Sequence, residues 1–292
     1  MSVTVAVSLL FGVASAILGG QVVPIGTKTY TVGIRTTANG ESFCGGALIA
    51  PSYVISSAHC EWRDVEYVTV GSHYINGSEE GVPADGEQIK IEVHHMHPKF
   101  DLNATGSPWD FVILKLERPS KFTPVKLPKH GDDKKGVWGT TMGWGVTSTP
   151  DGDYSLELKS VKLQVWGDKE CKDVFADVQF PSFVCAGGVA GKDACAGDMG
   201  DPLIRENQKG DADDILIGLN SAGYDCGLEG IPRCTLGLRR CFRGLTPSST
   251  GIRPIWMLSC DSGSTEYQAK LHGTPGKLVR LHFLKANENC PN

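Results

Sequence analysis

The sequence predicts an all-β protein built from many short antiparallel strands. Between Ile17 and about Pro232, apolar runs of a few residues are broken by Gly, Pro, Asn and Asp. Within the runs, apolar and polar residues alternate over a few positions, which is typical of strands in a sandwich or in barrels. The 36 glycines among 292 residues favour this turn-rich class over a helical bundle. Examples of the runs are SFCGGALI, YVTVGSHYI, FVILKL, LKSVKLQVW and ILIGLNSAGY.

The first sixteen residues, MSVTVAVSLLFGVASA, form an apolar run that ends in small residues. Its end, Ala14-Ser15-Ala16, matches the cleavage pattern of a secretory signal peptide, which predicts a secreted, extracellular protein beginning at Ile17. A membrane anchor is the alternative, but the run is shorter than the roughly 20 apolar residues that span a bilayer. No later segment is apolar over that length, so we expect no transmembrane segment.

Ten cysteines follow this leader, and an even number in a secreted chain predicts disulfide bonds. None of them shows the CxxC spacing of a zinc site. Two sequons, at Asn76 and Asn103, predict N-glycosylation in the same compartment. The cysteines are Cys44, Cys60, Cys171, Cys185, Cys195, Cys226, Cys234, Cys241, Cys260 and Cys290.

The charge distribution changes after Pro232. The whole chain has a formal net charge of -5, which gives no indication of nucleic-acid binding. Residues 233–292 hold nine Lys and Arg against three Asp and Glu, a net charge of +6, so the preceding residues carry -11. We therefore predict a divergent basic tail at 233–292. Before it, the polar run KHGDDKKG at 129–136 is predicted to link two halves.

Three motifs occur in the order of a chymotrypsin-like catalytic triad. His59 lies in SYVISSAHC, Asp110 opens the run DFVILKL, and Met199 stands in CAGDMGDP at the position of the nucleophile. A methionine thioether has no proton to lose and is too poor a nucleophile to sustain acyl transfer. The motifs therefore predict a vestigial triad without proteolytic activity.

Further motifs make the resemblance specific. ILGG, SSAHC, DFVILKL, MGWG and KDACAGDMGDPLI follow one another in order, and the chain resembles the trypsin-like serine peptidase family. The resemblance implies two six-stranded antiparallel barrels, at about 17–130 and 131–232. TKTYTVGIRTT, PSKFTPVKLP, VCAGGVAGKDAC and DDILIGL are similar to oomycete trypsin homologues that include the glucanase inhibitor proteins. That group binds and inhibits host endo-β-1,3-glucanases, so a host extracellular endoglucanase is the implied partner.

The resemblance also implies roles for residues around the triad. His59 and Asp110 would form the hydrogen-bonded pair of a general base. The backbone N–H groups of Gly197 and Met199 would form the oxyanion hole. Asp201 stands where the family has a glycine, and it would place a charge in a buried corner.

Two more features follow from the same resemblance. The α-ammonium of Ile17 would insert beside Asp198 and order the surrounding loop, although a turn-capping role for Asp198 is the alternative. Asp193 would form the base of a specificity pocket that binds a cationic side chain. Gly223 would lie in the pocket wall, with Ala222 in place of the tryptophan usual in the family.

The disulfides that the resemblance implies join Cys44 to Cys60, Cys171 to Cys185 and Cys195 to Cys226. The partners of the other four cysteines stay open. In HHMHP, His95 and His97 occupy alternate positions of a predicted strand, which allows chelation of a metal ion. We favour the alternative that this run only enters a surface loop, and we expect neither a metal nor a cofactor.

The family continues after CGLEGIP with a strand close to TVYTRV and a C-terminal helix, whereas this chain reads RCTLGLR. Skipping two bases in one possible codon series for these residues gives Val-Tyr-Thr-Arg-Val-Ala, so a frameshift after Pro232 is one hypothesis, and coincidence is the alternative. We expect an incomplete second barrel that lacks its closing strand, followed by a poorly ordered tail.

The sequence therefore predicts a secreted, catalytically inactive trypsin-like protein that acts by binding. Two other possibilities remain at this point. One is an active serine endopeptidase, against which Met199 argues. The other is a degraded gene product without a function, which the divergent tail makes credible.

Overall fold

The computed structural model describes residues 17–77, 85–97, 99–103, 107–148, 152–176, 182–207 and 210–238, and the backbone of two strands at 268–269 and 279–280. The predicted signal peptide and most of the predicted tail lie outside these residues. In the described ranges, helix comprises α1 (Asp168–Val174), two 3-10 turns, Ala58–Trp62 and Asp211–Asp213, and the single residue Leu238. The all-β prediction is confirmed. None of the described helices is long and apolar enough to cross a membrane.

The first half of the chain forms a closed barrel. Its strands β2 to β7 are hydrogen-bonded in the ring order β2-β3-β4-β7-β6-β5, and every neighbouring pair is antiparallel. Val32, Val68 and Leu114, from three different strands, are fully buried in its core. The strands are β1 (Gln21–Val22), β2 (Thr31–Arg35), β3 (Cys44–Ala50), β4 (Tyr53–Ser56), β5 (Tyr67–Val70), β6 (Glu87–Met96) and β7 (Val112–Leu116).

The second half forms a seven-stranded antiparallel sheet to which β1 contributes. Its strands are β8 (Trp138–Gly143), β9 (Lys159–Gln164), β10 (Phe183–Gly187), β11 (Pro202–Arg205), β12 (Ile215–Ala222) and β13 (Pro232–Gly237). The order is β1-β9-β8-β11-β12-β13-β10. Beyond the end of β9, the Trp166 N–H donates to the Cys185 carbonyl at 2.8 Å. The sheet thus curls back on itself, although without the continuous ladder of the first barrel.

The strand that the divergent tail was expected to lose is present, so that expectation is wrong. β13 crosses the predicted boundary after Pro232 and pairs with both β10 and β12. The physical reason is that apolar residues continue at every second position, Cys234, Leu236 and Leu238, as in a strand with one buried face. All three are fully buried. Of the run GKLVRLHFL, Val279–Arg280 does form a strand, but it pairs with Gln268–Ala269 and not with the barrel.

Polar contacts join the two halves away from the site. Asp214, which is fully buried, accepts hydrogen bonds at 2.7 Å from Tyr30 Oη and from Lys28 Nζ. Burial raises the pKa of the Tyr30 hydroxyl, and the charge of Asp214 raises it further. The predicted linker at 129–136 is anchored as well, because Asp132 accepts a hydrogen bond from Arg205 Nη1 at 2.7 Å.

Candidate functional site

The register of the first barrel brings His59 and Asp110 together. β4 pairs with β7 so that Ser56 lies opposite Val112. His59 follows β4 in a 3-10 turn and Asp110 shortly precedes β7, so both leave the barrel at the same edge. His59 Nδ1 lies 2.7 Å from Asp110 Oδ2, which is the geometry of a general-base pair.

The Asp110 carboxylate is held by other donors as well. The backbone N–H of His59 donates to Oδ1 at 2.8 Å, and the Ser57 hydroxyl donates to Oδ2 at 2.8 Å. Ser221 Oγ, from β12 of the second sheet, donates to Oδ2 at 2.5 Å. These donors keep a nearly buried carboxylate in place and tie the first barrel to the second sheet.

Met199 lies at the same junction. Its carbonyl accepts a hydrogen bond from the Gly45 N–H of β3 at 2.8 Å and lies 3.7 Å from Cys60 Sγ, next to His59. The other ring nitrogen of the histidine, His59 Nε2, is buried and has no hydrogen-bond partner among the described residues. The thioether of Met199 carries no proton that this nitrogen could accept.

An aromatic ring lies against Gly197, one of the two residues of the expected oxyanion hole. Gly197 has a φ of +91°, and a Cβ added to it would lie 2.2 Å from Tyr154 Cε1. Tyr154 therefore packs directly on the glycine whose N–H was expected to stabilise an oxyanion. Glycine is required here both by the positive φ and by this close approach.

Asp201 occupies a corner between the first barrel and the second sheet, where a glycine from each leaves space for its side chain. A Cβ added to Gly45 would lie 1.6 Å from Asp201 Oδ1, and one added to Gly143 would lie 1.9 Å from Oδ2. No N–H or O–H group of the described residues donates to this fully buried carboxyl group. Its polar neighbour is the carboxyl group of Asp198, with which it can share a proton.

The recess around Asp193 contains a cation that belongs to the chain itself. Arg233 Nη2 lies 3.4 Å from Asp193 Oδ2 and donates to the Ala194 carbonyl at 2.6 Å. Burial raises the pKa of Asp193, and the charge of Arg233 opposes that rise. Gly223 lies against the guanidinium, since a Cβ added there would lie 2.4 Å from Arg233 Nη1. The recess is filled, whereas the sequence suggested an open pocket for a cation from outside.

Comparison with known proteins agrees with this geometry. A profile described as Trypsin matches residues 17–236. The chain belongs to the trypsin family. It is 51% identical over 219 residues to glucanase inhibitor protein 2 of Phytophthora sojae. That alignment covers 74% of this chain and 73% of the Phytophthora sojae protein. Glucanase inhibitor protein 2 of Phytophthora infestans is also 51% identical over 219 residues. Those residues are 74% of this chain and 82% of the Phytophthora infestans protein.

A solved structure shows the same fold. Neuropsin, a serine protease expressed in the limbic system of mouse brain, superposes with a TM-score of 0.67. The match covers 77% of this chain and 96% of that chain at 22% sequence identity. The expected trypsin-like fold is therefore confirmed.

The cysteines of this trypsin-family chain pair as the resemblance implied in three cases. The bonds join Cys44 to Cys60, Cys171 to Cys185, and Cys195 to Cys226. Of the other four, Cys234 is described; it is a buried free thiol. Cys241, Cys260 and Cys290 lie outside the described residues.

The ion pair expected between the α-ammonium of Ile17 and Asp198 is still a prediction. Ile17 is fully buried in the core of the second sheet, and the next residue, Leu18, bridges Asp193. The Asp198 carboxylate accepts hydrogen bonds at 2.8 Å from the backbone N–H groups of Gly145 and Cys195. A free α-ammonium would supply a positive charge for this buried carboxylate, in addition to the more remote charge of Arg233.

The histidine run lies beside the turn that carries His59, since His94 Nδ1 is 2.9 Å from Glu61 Oε2. The His97 ring stacks on Trp109 with centroids 4.4 Å apart, and its Nδ1 accepts the Lys99 N–H at 3.2 Å. His97 is thus engaged in packing, which supports the surface-loop interpretation. The asparagines of both sequons, Asn76 and Asn103, are exposed, as glycosylation requires.

Sequence reasoning missed Ser221, Tyr154 and Arg233. The first two are ordinary residues of a strand and a loop, without a local motif. The third stood at the start of a segment interpreted only as a basic tail. Its position in the sequence was the available signal. Arg233 directly follows CGLEGIP, and a strand that lines the pocket begins there.

Proposed function

We propose that this trypsin-family protein is a secreted, non-proteolytic inhibitor of a host endo-β-1,3-glucanase that acts in the extracellular space of a plant. The relatives at 51% identity are named glucanase inhibitor proteins. Each match extends over 219 residues, or 74% of this chain. Inhibition would follow from binding alone.

One observation supports the non-proteolytic part of the proposal most strongly. His59 Nε2 has no hydrogen-bond partner among the described residues, and the nucleophile position carries Met199. General-base catalysis needs a positioned hydroxyl or thiol from which the proton is taken. Without one, an oriented His59–Asp110 pair cannot form an acyl-enzyme.

Other features of the site point in the same direction. Arg233 occupies the recess that would hold a basic substrate side chain, and Tyr154 packs on Gly197. A peptidase that had lost only its nucleophile would keep an open pocket for its substrate. Here the substrate-binding part has closed together with the loss of the chemistry, which favours a role in binding through the outer surface.

An exposed cluster beside the former active site is suited to such binding. Trp62 is 56% exposed, and the guanidinium of Arg63 stacks over its ring at 4.3 Å and over the Phe43 ring at 4.7 Å. The cluster is anchored by the Cys44–Cys60 disulfide next to it. Exposed tryptophan and arginine on a rigid base are typical of the residues that dominate protein interfaces.

The test uses the secreted protein as it exists after removal of the leader. Binding to a purified plant β-1,3-glucanase is measured by calorimetry, and cleavage of fluorogenic Arg and Lys peptides is measured in parallel. We expect saturable binding without cleavage. Turnover of either peptide would contradict the non-proteolytic role, and absence of binding to the glucanase would contradict the inhibitory role.

A further inference from the structure

A cleft on the outer face of the second sheet takes no part in the site described above. It has a volume of about 370 Å³, which is within the range of clefts that bind small molecules. We call it the Trp138 cleft. Its lining residues are Lys28, Trp138, Thr140, Lys162, Glu206 and Asn207.

The register of the strands explains which side chains meet in the Trp138 cleft. Trp138 and Thr140 lie two positions apart on β8, so their side chains share one face of the sheet. Lys162 of β9 pairs directly with Thr140 and lies on the same face. The neighbours of Lys162 in the chain, Val161 and Leu163, point the other way and are buried in the core. The cleft therefore lies on the side of these strands that faces away from the core of the second sheet.

The two residues that follow β11, Glu206 and Asn207, complete the cleft. Thr140 Oγ1 donates to Glu206 Oε2 at 3.0 Å. Lys28 Nζ lies 3.1 Å from Oε1 of the same carboxylate, and Lys162 Nζ lies 3.4 Å from Oε2. These contacts come from three separate segments of the chain, so the carboxylate is held in place before any ligand arrives.

The charges in the Trp138 cleft compensate one another. Lys28 Nζ also lies 2.7 Å from Asp214 Oδ2 and 3.1 Å from Asp211 Oδ1. Every charged side chain that lines the cleft, Lys28, Lys162 and Glu206, thus has an opposite charge within 3.4 Å. An anion would meet the carboxylates and a cation would meet the ammonium groups, so neither gains from a net charge. A neutral ligand avoids both kinds of repulsion.

Trp138 supplies an apolar platform beside these polar groups. The residue is 56% exposed although it lies on a strand of the sheet. A ligand that covers the indole ring would remove apolar surface from water, which favours binding. A platform of this kind selects ligands that have a flat apolar face.

The rim of the Trp138 cleft offers both donors and acceptors of hydrogen bonds. The side chain of Lys162 is 68% exposed, and its ammonium carries three N–H groups. Asn207 is exposed, and its amide both donates and accepts. The partly exposed carboxylate of Glu206 accepts. A hydroxyl group both donates and accepts, so a ligand with several hydroxyl groups can use all of these partners.

We infer that the Trp138 cleft binds a neutral oligosaccharide of glucose-like pyranose rings. Such rings carry their hydroxyl groups at the edge, so each face presents C–H groups that can stack on an indole. One ring would lie on Trp138, with its hydroxyl groups directed to Glu206, Lys162 and Asn207. The site is separate from the cluster around Trp62, and the inference does not rest on the proposed function.

The experiment measures the binding of uncharged glucose hexasaccharides to the secreted protein by titration calorimetry. Hexasaccharides with β-1,3, β-1,4 and α-1,4 linkages are compared, and hexagalacturonate serves as an anionic counterpart of the same length. We expect saturable binding of at least one glucose hexasaccharide, and the preferred linkage identifies the chain shape that fits the cleft. Hexagalacturonate should bind more weakly than that hexasaccharide.

The two equally exposed tryptophans provide a matched pair of variants. Trp138→Ala should weaken binding of the preferred hexasaccharide by at least about tenfold, because the apolar platform is lost. Trp62→Ala removes a tryptophan of the same exposed fraction from another part of the surface and should leave this binding unchanged. Asn207→Ala should weaken binding as well. Asn207 lies outside the strands, so this variant serves if Trp138→Ala fails to fold.

Three results would overturn the inference. One is that none of the glucose hexasaccharides binds to the folded, unaltered protein. Another is binding that is unchanged in both Trp138→Ala and Asn207→Ala, which would place the sugar elsewhere on the molecule. The third is tighter binding of hexagalacturonate than of any glucose hexasaccharide, which would show that the ligand is selected by its negative charge.

Discussion

Asp198 and Asp201 place two carboxyl groups side by side in a corner where neither residue is accessible to solvent. Burial raises the pKa of Asp198 to about 6, although the N–H groups of Cys195 and Gly145 act in the opposite direction. Burial and then the charge of Asp198 raise the pKa of Asp201 well above its ordinary value. Near neutral pH the folded protein therefore holds a proton in this corner that the unfolded chain has lost.

This pair predicts how stability changes with pH. Because both folded-state pKa values are raised, the pair favours folding most below the unfolded pKa of about 4 and loses that advantage as pH rises through about 6 and beyond. Asp201→Asn should raise the free energy of unfolding at about pH 8 and change it little at about pH 4. Urea unfolding at both pH values measures the difference. Asp225→Asn, an exposed site, is the control, and an equal effect of both variants would contradict the prediction.

Restoring the nucleophile alone should not restore proteolysis. In Met199→Ser, Arg233 still fills the recess and Tyr154 still packs on Gly197. Hydrolysis of an Arg-peptide substrate should stay at least about 1,000-fold below that of an intact triad enzyme. Met199→Ser combined with Arg233→Gly should be measurably faster than Met199→Ser alone. Efficient cleavage by Met199→Ser alone would show that the recess is not closed.

Asp110 should matter for stability and not for glucanase binding. Its carboxylate accepts hydrogen bonds from Ser57, from Ser221 and from both the backbone and the ring of His59. Asp110→Ala leaves these donors without an acceptor, so the free energy of unfolding should fall by about 2–4 kcal/mol. His59→Ala should cost less, since three donors remain. Thermal unfolding and glucanase binding are measured on both variants, and loss of binding in a folded variant would assign the pair a direct role.

The two exposed tryptophans provide a matched test of the binding surface. Trp62 and Trp138 are each 56% exposed, but Trp62 stacks with Arg63 beside His59, and Trp138 lies on β8 of the second sheet. Trp62→Ala should weaken glucanase binding by about 10–100-fold, and Trp138→Ala should leave it unchanged. Titration calorimetry measures both. The reverse order of effects would place the interface on the second sheet.

The amino terminus offers a test of the predicted Ile17–Asp198 ion pair. A chain that begins at Ile17 carries an α-ammonium near the buried carboxyl groups, whereas a chain that keeps Ala16 does not. The first should unfold at a higher temperature at about pH 7, because the ammonium compensates a buried negative charge. Differential scanning calorimetry compares the two proteins. Equal Tm values would mean that Asp198 is stabilised by its backbone donors alone.

The sequence predicted contacts near local motifs better than contacts between residues that are far apart in the chain. His59 and Asp110 lie beside strands with a clear apolar pattern, so local motifs located them correctly. The Asp193–Arg233 and Asp110–Ser221 contacts depend on the register of β12 and β13 across the sheet, which no local pattern specifies. The prediction that the closing strand would be lost was wrong. It relied on the end of the family resemblance after Pro232, whereas the apolar residues keep a period of two beyond that point and form the strand.

The most direct test of the central claim is a titration of a plant endo-β-1,3-glucanase with the secreted protein, followed by mass spectrometry of both intact chains. We predict a saturable loss of glucan hydrolysis with the masses of both chains unchanged. Cleavage of the glucanase would contradict the non-proteolytic account. Full glucanase activity in the presence of an excess of the folded protein would contradict the inhibitory one.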